Sequence, residues 1–340
     1  MASILENVNL KPFNTFGIEV FCSYFTEVHS EEDFIALLQE PVYIQNKKLI
    51  LGGGSNVLFT ANFDGLVIKN NIKGIELVDE TNTHVTLRVA AGEIWHDLVM
   101  WCINKNYAGI ENLSLIPGCV GASPMQNIGA YGVEIKEVFH QLEALSMEAG
   151  KKEIFSKEAC EFGYRESVFK HKYKNRYIIT AVNFILKKNP EINTTYGAIS
   201  DELRNMQVQH PGIRDVSNAV MNIRRSKLPD PKETGNAGSF FKNPEVTADF
   251  YEQLKQRFPQ LVAYPLASGG YKLAAGWLIE QCGLKGFAFN GAAVHNKQAL
   301  VLVNKNHCTG ADVYELSSLV LEKVFDTFGV TLEREVNIIG

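Results

Sequence analysis

Apolar positions along the chain recur with two periods. Phe34, Leu37 and Leu38 share one face of segment 31–40, with Ser30 placed to cap it, which predicts a helix. The run Lys48-Leu49-Ile50-Leu51 reads as a buried strand that ends in Gly52-Gly53-Gly54-Ser55-Asn56. Residues 68–89 read as short strands between polar turns, and Trp95, Leu98 and Cys102 give 94–106 a helical period. Strands are predicted again at 141–145 and 177–186. Further helices are predicted at 215–225, at 273–282 closed by Gly283, and at 312–328 capped by Asp312 and ended by Gly329. The tail 330–340 reads as strand. Proline lacks an amide donor and restrains the residue before it, so Leu228-Pro229-Asp230-Pro231 breaks the helix before it and marks the main domain boundary.

A chain of 340 residues, 46% hydrophobic, predicts two or three domains with sizeable cores. Its net charge of -5 is spread without a basic footprint, which argues against nucleic acid and lipid partners. The start lacks a basic region followed by an apolar run, and no apolar stretch is long enough to span a bilayer, so a cytosolic location is expected. No exposed apolar helix face is evident, and a monomer is expected. Cys22, Cys102, Cys119, Cys160, Cys282 and Cys308 lack paired spacing and read as reduced, mostly buried thiols. His295 and His307 have no partners at metal-ligand spacing, so no metal site is predicted.

Two glycine-rich loops carry candidate chemistry. The first follows a strand, and consecutive amides in such a turn form a nest suited to a diphosphate. It lacks the Lys-Ser/Thr pair of a nucleotide P-loop and the spacing of a Rossmann turn, which disfavours a kinase or an ordinary dehydrogenase. The second runs Ile116-Pro117-Gly118-Cys119-Val120-Gly121-Ala122-Ser123-Pro124-Met125-Gln126-Asn127-Ile128-Gly129-Ala130-Tyr131-Gly132, a stretch able to wrap a planar polar cofactor. The alternative for both is that the glycines permit tight packing between sheets.

Together with Asn14-Thr15-Phe16-Gly17, Tyr164-Arg165-Glu166-Ser167, residues 235–244 and Leu273-Ala274-Ala275-Gly276-Trp277-Leu278-Ile279, these loops resemble the UDP-N-acetylenolpyruvoylglucosamine reductase family. The resemblance runs from Phe13 almost to Gly340. It implies an α+β chain with a vanillyl-alcohol-oxidase (PCMH-type) FAD-binding fold. Two FAD subdomains are expected at 1–70 and 71–227, a substrate-binding domain at 228–328, and a tail 329–340 returning to the FAD site. It also implies noncovalent FAD, NADPH as hydride donor and a small UDP-sugar substrate, UDP-N-acetylglucosamine enolpyruvate, reduced in the assembly of peptidoglycan precursors. FAD contacts are implied at Gly52, Gly53, Gly54, Ser55, Asn56, Ile116, Pro117, Gly118, Gly121, Ala122, Ser123, Gln126, Asn127, Gly129 and Ala130. Cys119 lies within a cofactor loop, but the family does not attach its flavin covalently.

In that family hydride reaches the β-carbon of the enolpyruvyl ether and negative charge develops at the α-carbon and its carboxylate, which calls for donors and an acid. Arg165 matches the arginine that engages the carboxylate, Ser239 the proton donor and Glu335 the glutamate that assists the enolate. Asn193-Thr194-Thr195-Tyr196-Gly197 matches a tyrosine-bearing insertion of the longer form of the family, with Tyr196 as substrate contact, and Lys227, Asn243 and Gln298 match further substrate positions. Arg334 and Asn337 depart from the residues common there. From residue type alone, Arg165 is a surface partner of Glu166, Ser239 a turn serine, and Glu335 an outward acid sharing a strand face with Glu333. The glycines and phenylalanines flanking Ser239 suggest a small, water-poor pocket. Two rival readings are an oxidase on the same flavin fold and a UDP-sugar-binding protein without turnover.

Overall fold

In the computed structural model, which describes residues 3–340, the chain forms two units. One contains residues 3–8, Cys22–Gly54 and Asp64–Ser226, and the other Asn9–Phe21, Ser55–Phe63 and Lys227–Gly340.

The first unit carries two sheets. A four-stranded sheet has the order Leu5–Asn9, Phe21–Val28, Phe63–Asn70, Lys48–Leu51, with the last two strands parallel. Lys48–Leu51 buries only Leu51 rather than the whole run, because it lies at the sheet edge. Ser30 caps the helix Glu31–Leu37 by accepting from the Asp33 amide at 3.1 Å, and Phe34 and Leu37 enter a core with Val28, Leu66 and Ile68. A five-stranded sheet follows the order Lys152–Ser156, Phe139–Ser146, Tyr177–Lys187, His84–Ala90, Ile75–Glu80, antiparallel throughout. Alternate residues Val85, Leu87 and Val89 point to one face, where Trp95, Leu98, Val99 and Cys102 of the helix Trp95–Asn104 pack. Five of the six cysteines are buried and all six are free thiols.

The opposite face is polar. The Arg88 guanidinium donates to both Glu143 oxygens at 2.7 and 2.8 Å, and Lys152 Nζ lies 2.7 Å from Glu143 and 3.0 Å from Glu31. Glu143 is 7% exposed, so its charge requires these partners.

In the second unit, Gly235–Ser239, Val301–Asn304, Ala292–Val294 and Ala288–Phe289 form an antiparallel sheet against which the helix Gly310–Phe328 lies. This helix starts two residues before Asp312. Thr309 is its N-cap, and Asp312 is the third helical residue, closing a capping box by accepting from the Thr309 amide at 2.8 Å. Gly329 ends it at φ 69°. Residues 273–282 are not one helix. Leu273 ends the strand Tyr271–Leu273, and the helix spans Ala275–Gln281, because Leu273 is held by ladder pairing to Ala263. The motif at 14–17 packs on the start of Gly235–Ser239. Thr15 Oγ1 donates to the Asn236 carbonyl at 2.6 Å, and a Cβ on Gly235 would lie 2.1 Å from the Phe16 oxygen. In the tail, Asn337–Ile339 runs parallel to Val57–Phe59.

The Arg88 hydrogen bonds, reinforced by Lys152, hold Glu143 down to about 2 from 4.5. A depressed carboxylate contributes stability above its unfolded pKa and loses it as pH falls through the folded value. Glu143→Gln is therefore expected to cost about 3 kcal/mol at pH 7 and progressively less below pH 4.5, measured by urea unfolding of both proteins between pH 7 and 3.

Candidate functional site

The first unit brings the two glycine loops together. A Cβ on Gly53 would lie 2.7 Å from Gly118 Cα, so the loops touch backbone to backbone. A Cβ on Gly121 would fall 2.5 Å from Ala91 Cβ. The packing alternative thus holds for these two glycines, and the same contact leaves a surface of backbone rather than side chains at the join. Gly54 and Gly118 have φ of 64° and 109°, which a side chain would strain. Among the described residues, the amides of Gly52 and Gly53 donate to no protein acceptor. Lys69 Nζ donates to the Gly52 carbonyl and Lys73 Nζ to that of Gly92. Both ammonium groups act electrostatically on Cys119, whose thiol burial nonetheless pushes up, away from the reactive thiolate. Amides without a protein acceptor at a tight turn, with the Lys69 ammonium on the Gly52 carbonyl and that of Lys73 acting on Cys119 in the other loop, suit a diphosphate, so these residues fit the dinucleotide part of FAD.

A second strip clamps the second glycine loop. The Gly121 amide donates to the Ala91 carbonyl at 2.9 Å, Val120 to Glu93 at 2.8 Å, and Trp95 to Gly118 at 3.0 Å. Trp95 Nε1 donates to the Leu113 carbonyl at 2.9 Å. Farther along, Ser123 is buried, and the buried Asn127 amide donates to Glu134 and to the Gly163 carbonyl, at 3.0 and 2.9 Å. Gly129 and Ala130 pair with Val133 and Glu134 in a short ladder. Ile116, Gln126 and Ala130 are half-buried, whereas Pro117 and Ala122 are exposed.

Arg165 sits at φ 56°, half-buried, with Nη2 donating to the Gly129 carbonyl at 2.6 Å. Its guanidinium carbon lies 5.4 Å from the Tyr164 ring centre. Glu166 reaches His171 Nε2 at 2.5 Å and Lys170 at 3.7 Å. A Cβ on Gly129 would lie 3.0 Å from Arg165 Nη1, so the glycine at 129 makes room for the arginine. Tyr196 precedes the helix Gly197–Asn205, is 44% exposed, and meets Tyr131 edge to face at 5.3 Å.

The remaining predicted residues belong to the second unit. Ser239 ends its strand opposite Val301 and is exposed, while Phe240 and Phe241 are fully buried. The expected water-poor pocket is therefore not made by these phenylalanines, which face the core because the chain turns them inward after Ser239. The Glu335 amide donates to the Phe240 carbonyl at 2.8 Å, which sets Glu335 on the chain neighbouring Ser239. Around it the tail is a single bridge, Phe241 to Arg334, rather than an alternating strand. Glu333 is exposed and paired with Lys242 at 2.7 Å, whereas Glu335 is half-buried. Asn56 Nδ2 donates to the Glu335 carbonyl at 3.4 Å, and Asn337 Nδ2 to the Asn56 carbonyl at 3.0 Å. The departure at 337 is thus used to hold Ser55-Asn56, and that at 334 donates to Ser317 and Ser318, both at 2.7 Å. Asn243 Oδ1 accepts from the Ala275 amide at 2.9 Å, and a Cβ on Gly276 would lie 3.0 Å from Gln298 Oε1, so Asn243 and Gln298 share one helix end. Lys227 is exposed at the end of the helix Ile213–Lys227.

Sequence reasoning missed three features. They are Lys69 and Lys73, which donate to the Gly52 and Gly92 carbonyls, Trp95 and His96 as supports of the second glycine loop, and Arg224, which bonds the Tyr131 phenol. The strip that holds the glycine loops lies outside the glycine motifs themselves.

Residues 22–152 match a model of the FAD-binding domain, and residues 230–339 match that of the UDP-N-acetylenolpyruvoylglucosamine reductase C-terminal domain. The α+β fold is of the vanillyl-alcohol-oxidase (PCMH) type, and the chain is an FAD-dependent oxidoreductase. It is 49% identical to the UDP-N-acetylenolpyruvoylglucosamine reductase of Flavobacterium johnsoniae over 99% of both chains. Identity to that of Photobacterium profundum is also 49%, over 99% of this chain and 96% of the other. The crystal structure of the Thermus caldophilus enzyme has the same fold, with TM-score 0.71 at 23% identity over 100% of both chains. The chain belongs to the UDP-N-acetylenolpyruvoylglucosamine reductase family.

The contact between the loops yields a direct test. Gly53→Ala pushes Gly118 away and is expected to weaken FAD binding about tenfold or more while costing about 1–3 kcal/mol of stability. Flavin fluorescence titration and thermal melting of the apoprotein measure the two effects separately.

Proposed function

We propose that Arg165, Ser239 and Glu335 carry the reduction of UDP-N-acetylglucosamine enolpyruvate to UDP-N-acetylmuramate, the reaction of this family in peptidoglycan precursor synthesis. Bound FAD supplies the two-electron relay between NADPH and the enolpyruvyl double bond. Hydride arrives at the β-carbon, and the α-carbon takes a proton.

Arg165 binds the substrate carboxylate. Its guanidinium is held at one edge by the Gly129 carbonyl, so the planar fork is fixed in orientation before an anion arrives. Preorganisation matters because charge flows toward that carboxylate as hydride is added. This anchoring of Arg165 on the cofactor loop is the observation that carries the reading. Ser239 gives the α-carbon its proton, and Glu335 stabilises the enolate from the neighbouring chain. Tyr196, Lys227, Asn243 and Gln298 bind the rest of the UDP-sugar, with Lys227 suited to the diphosphate as a compact cation. Residues 1–70 and 71–227 are assigned to FAD, 228–328 to substrate, and 329–340 to the tail that contributes Glu335. We assign the enzyme a cytosolic location and action as a monomer without nucleic acid partners. No helix among the described residues is long and apolar enough to cross a membrane, and no group of three or more metal-binding side chains is found among them.

An anaerobic visible spectrum tests the reaction. The flavin band bleaches on NADPH and returns on UDP-N-acetylglucosamine enolpyruvate, and bleaching without return would assign another electron acceptor. Ser239→Ala is expected to leave bleaching unchanged and to slow the return roughly 10²–10⁴-fold. Arg165→Lys slows the same half-reaction, because an ammonium does not reproduce the fork. Near-normal return in either variant removes that residue from its role.

A further inference from the structure

The cofactor loop begins under constraint. Leu115, the residue before Ile116, adopts φ 58°, a left-handed conformation that its side chain disfavours. A branched aliphatic residue stays there only when its surroundings hold it. The Leu115 amide has one acceptor, the Nδ1 of His96, at 3.1 Å. His96 stands in the first turn of the helix Trp95–Asn104, next to Trp95, whose amide and indole bind Gly118 and Leu113. The loop entry is therefore gripped at three points, residues 113, 115 and 118, by two consecutive side chains and one amide.

A ring nitrogen that accepts from an amide carries no proton, so the geometry requires neutral His96 with its proton on Nε2. The groups that act on the ring electrostatically are Asp97 on its own helix and Arg224 and Arg225 on the helix Ile213–Lys227. Burial lowers the His96 pKa first, and the two arginines add to this against Asp97. Protonation removes the one acceptor that the Leu115 amide has among the described residues and adds a third cation to the two arginines that act on the ring.

We propose that His96 is a positioning residue for the cofactor loop: by accepting from the Leu115 amide, its neutral ring holds the left-handed turn that presents residues 116–130 to FAD. The proposal rests on the assignment of that loop to FAD. It makes cofactor affinity depend on pH through a side chain that is part of the loop's support.

Hydrogen exchange of the apoprotein and FAD titration by flavin fluorescence, each between pH 8 and 5, test this on wild type, His96→Ala and His96→Asn. The Asn Oδ1 replaces Nδ1 as an acceptor without titrating. In wild type, Leu115 amide protection and FAD affinity are expected to fall together as pH drops below 6.5. In His96→Ala protection is lost at every pH and FAD binds roughly tenfold more weakly. In His96→Asn both are retained and the pH dependence disappears. Unchanged protection in His96→Ala overturns the proposal. Lost protection with unchanged FAD affinity leaves His96 as a support of the loop and overturns the assignment of the loop to FAD. Loss of binding in His96→Asn equal to that in His96→Ala shows that the ring, not the acceptor, matters, and also overturns the proposal.

Discussion

Two backbones approach within van der Waals distance where Gly53 meets Gly118, and much of the first unit is arranged to make that approach possible. One loop arrives from the strand Lys48–Leu51, anchored by parallel pairing with Phe63–Asn70. The other has little regular structure of its own and takes its shape from Ala91, Glu93, Trp95 and His96, whose bonds run along it in order. That strip is fixed by the five-stranded sheet at one end, where Ala90 pairs with Ala181, and by the Trp95 side chain, which is 1% exposed, at the other. The Ala91 and Glu93 carbonyls and the His96 ring take up the amides of Gly121, Val120 and Leu115, so these loop amides are already committed within the protein.

The sheet beneath divides its labour between faces. Val85, Leu87 and Val89 anchor the helix that carries His96, while Arg88, between them in sequence, serves the charged network with Glu143 and Lys152. A strand whose alternate residues go to an oily core and to an ion cluster around the buried Glu143 has no second register available, since a slip of one residue would exchange the two faces. The position of the second glycine loop is thereby tied to a register that charge and hydrophobicity define together.

Periodicity located the longest helices and several strands because such elements bury one face, but not the helices Pro41–Gln45, Gly197–Asn205 and Ala248–Arg257 or the short strands of the second unit. The Ser30 cap, the helix around Trp95 and the break after Lys227 were legible for that reason. Errors arose where tertiary pairing overrides local pattern. Leu273 joins a strand because Ala263 is opposite it, and Asp312 cedes the cap to Thr309 although either side chain is suited to the role. The candidate site was legible mainly as motif. The positive φ of Arg165 and the bond to Gly129 depend on residues 36 positions apart, and no local window contains them. Exposure of Ser239 was likewise invisible, because two following phenylalanines signal burial while the serine itself faces outward.

The parallel pair Val57–Phe59 and Asn337–Ile339 joins residues 280 apart in sequence, one of several contacts that give the second unit pieces from both ends of the chain. Its Asn9–Phe21 and Ser55–Phe63 segments emerge early from the ribosome, but their partners at 235–236, 304 and 335–339 are made only after the first unit's last segment. During synthesis those two early segments have only early partners, as Leu10 has Val20 and Phe21 has Asn62, and the first unit, whose own segments end at Ser226, is free to fold before their late partners appear. Shortening the tail by a few residues would consequently leave a strand made near the beginning of translation without the neighbour it was waiting for.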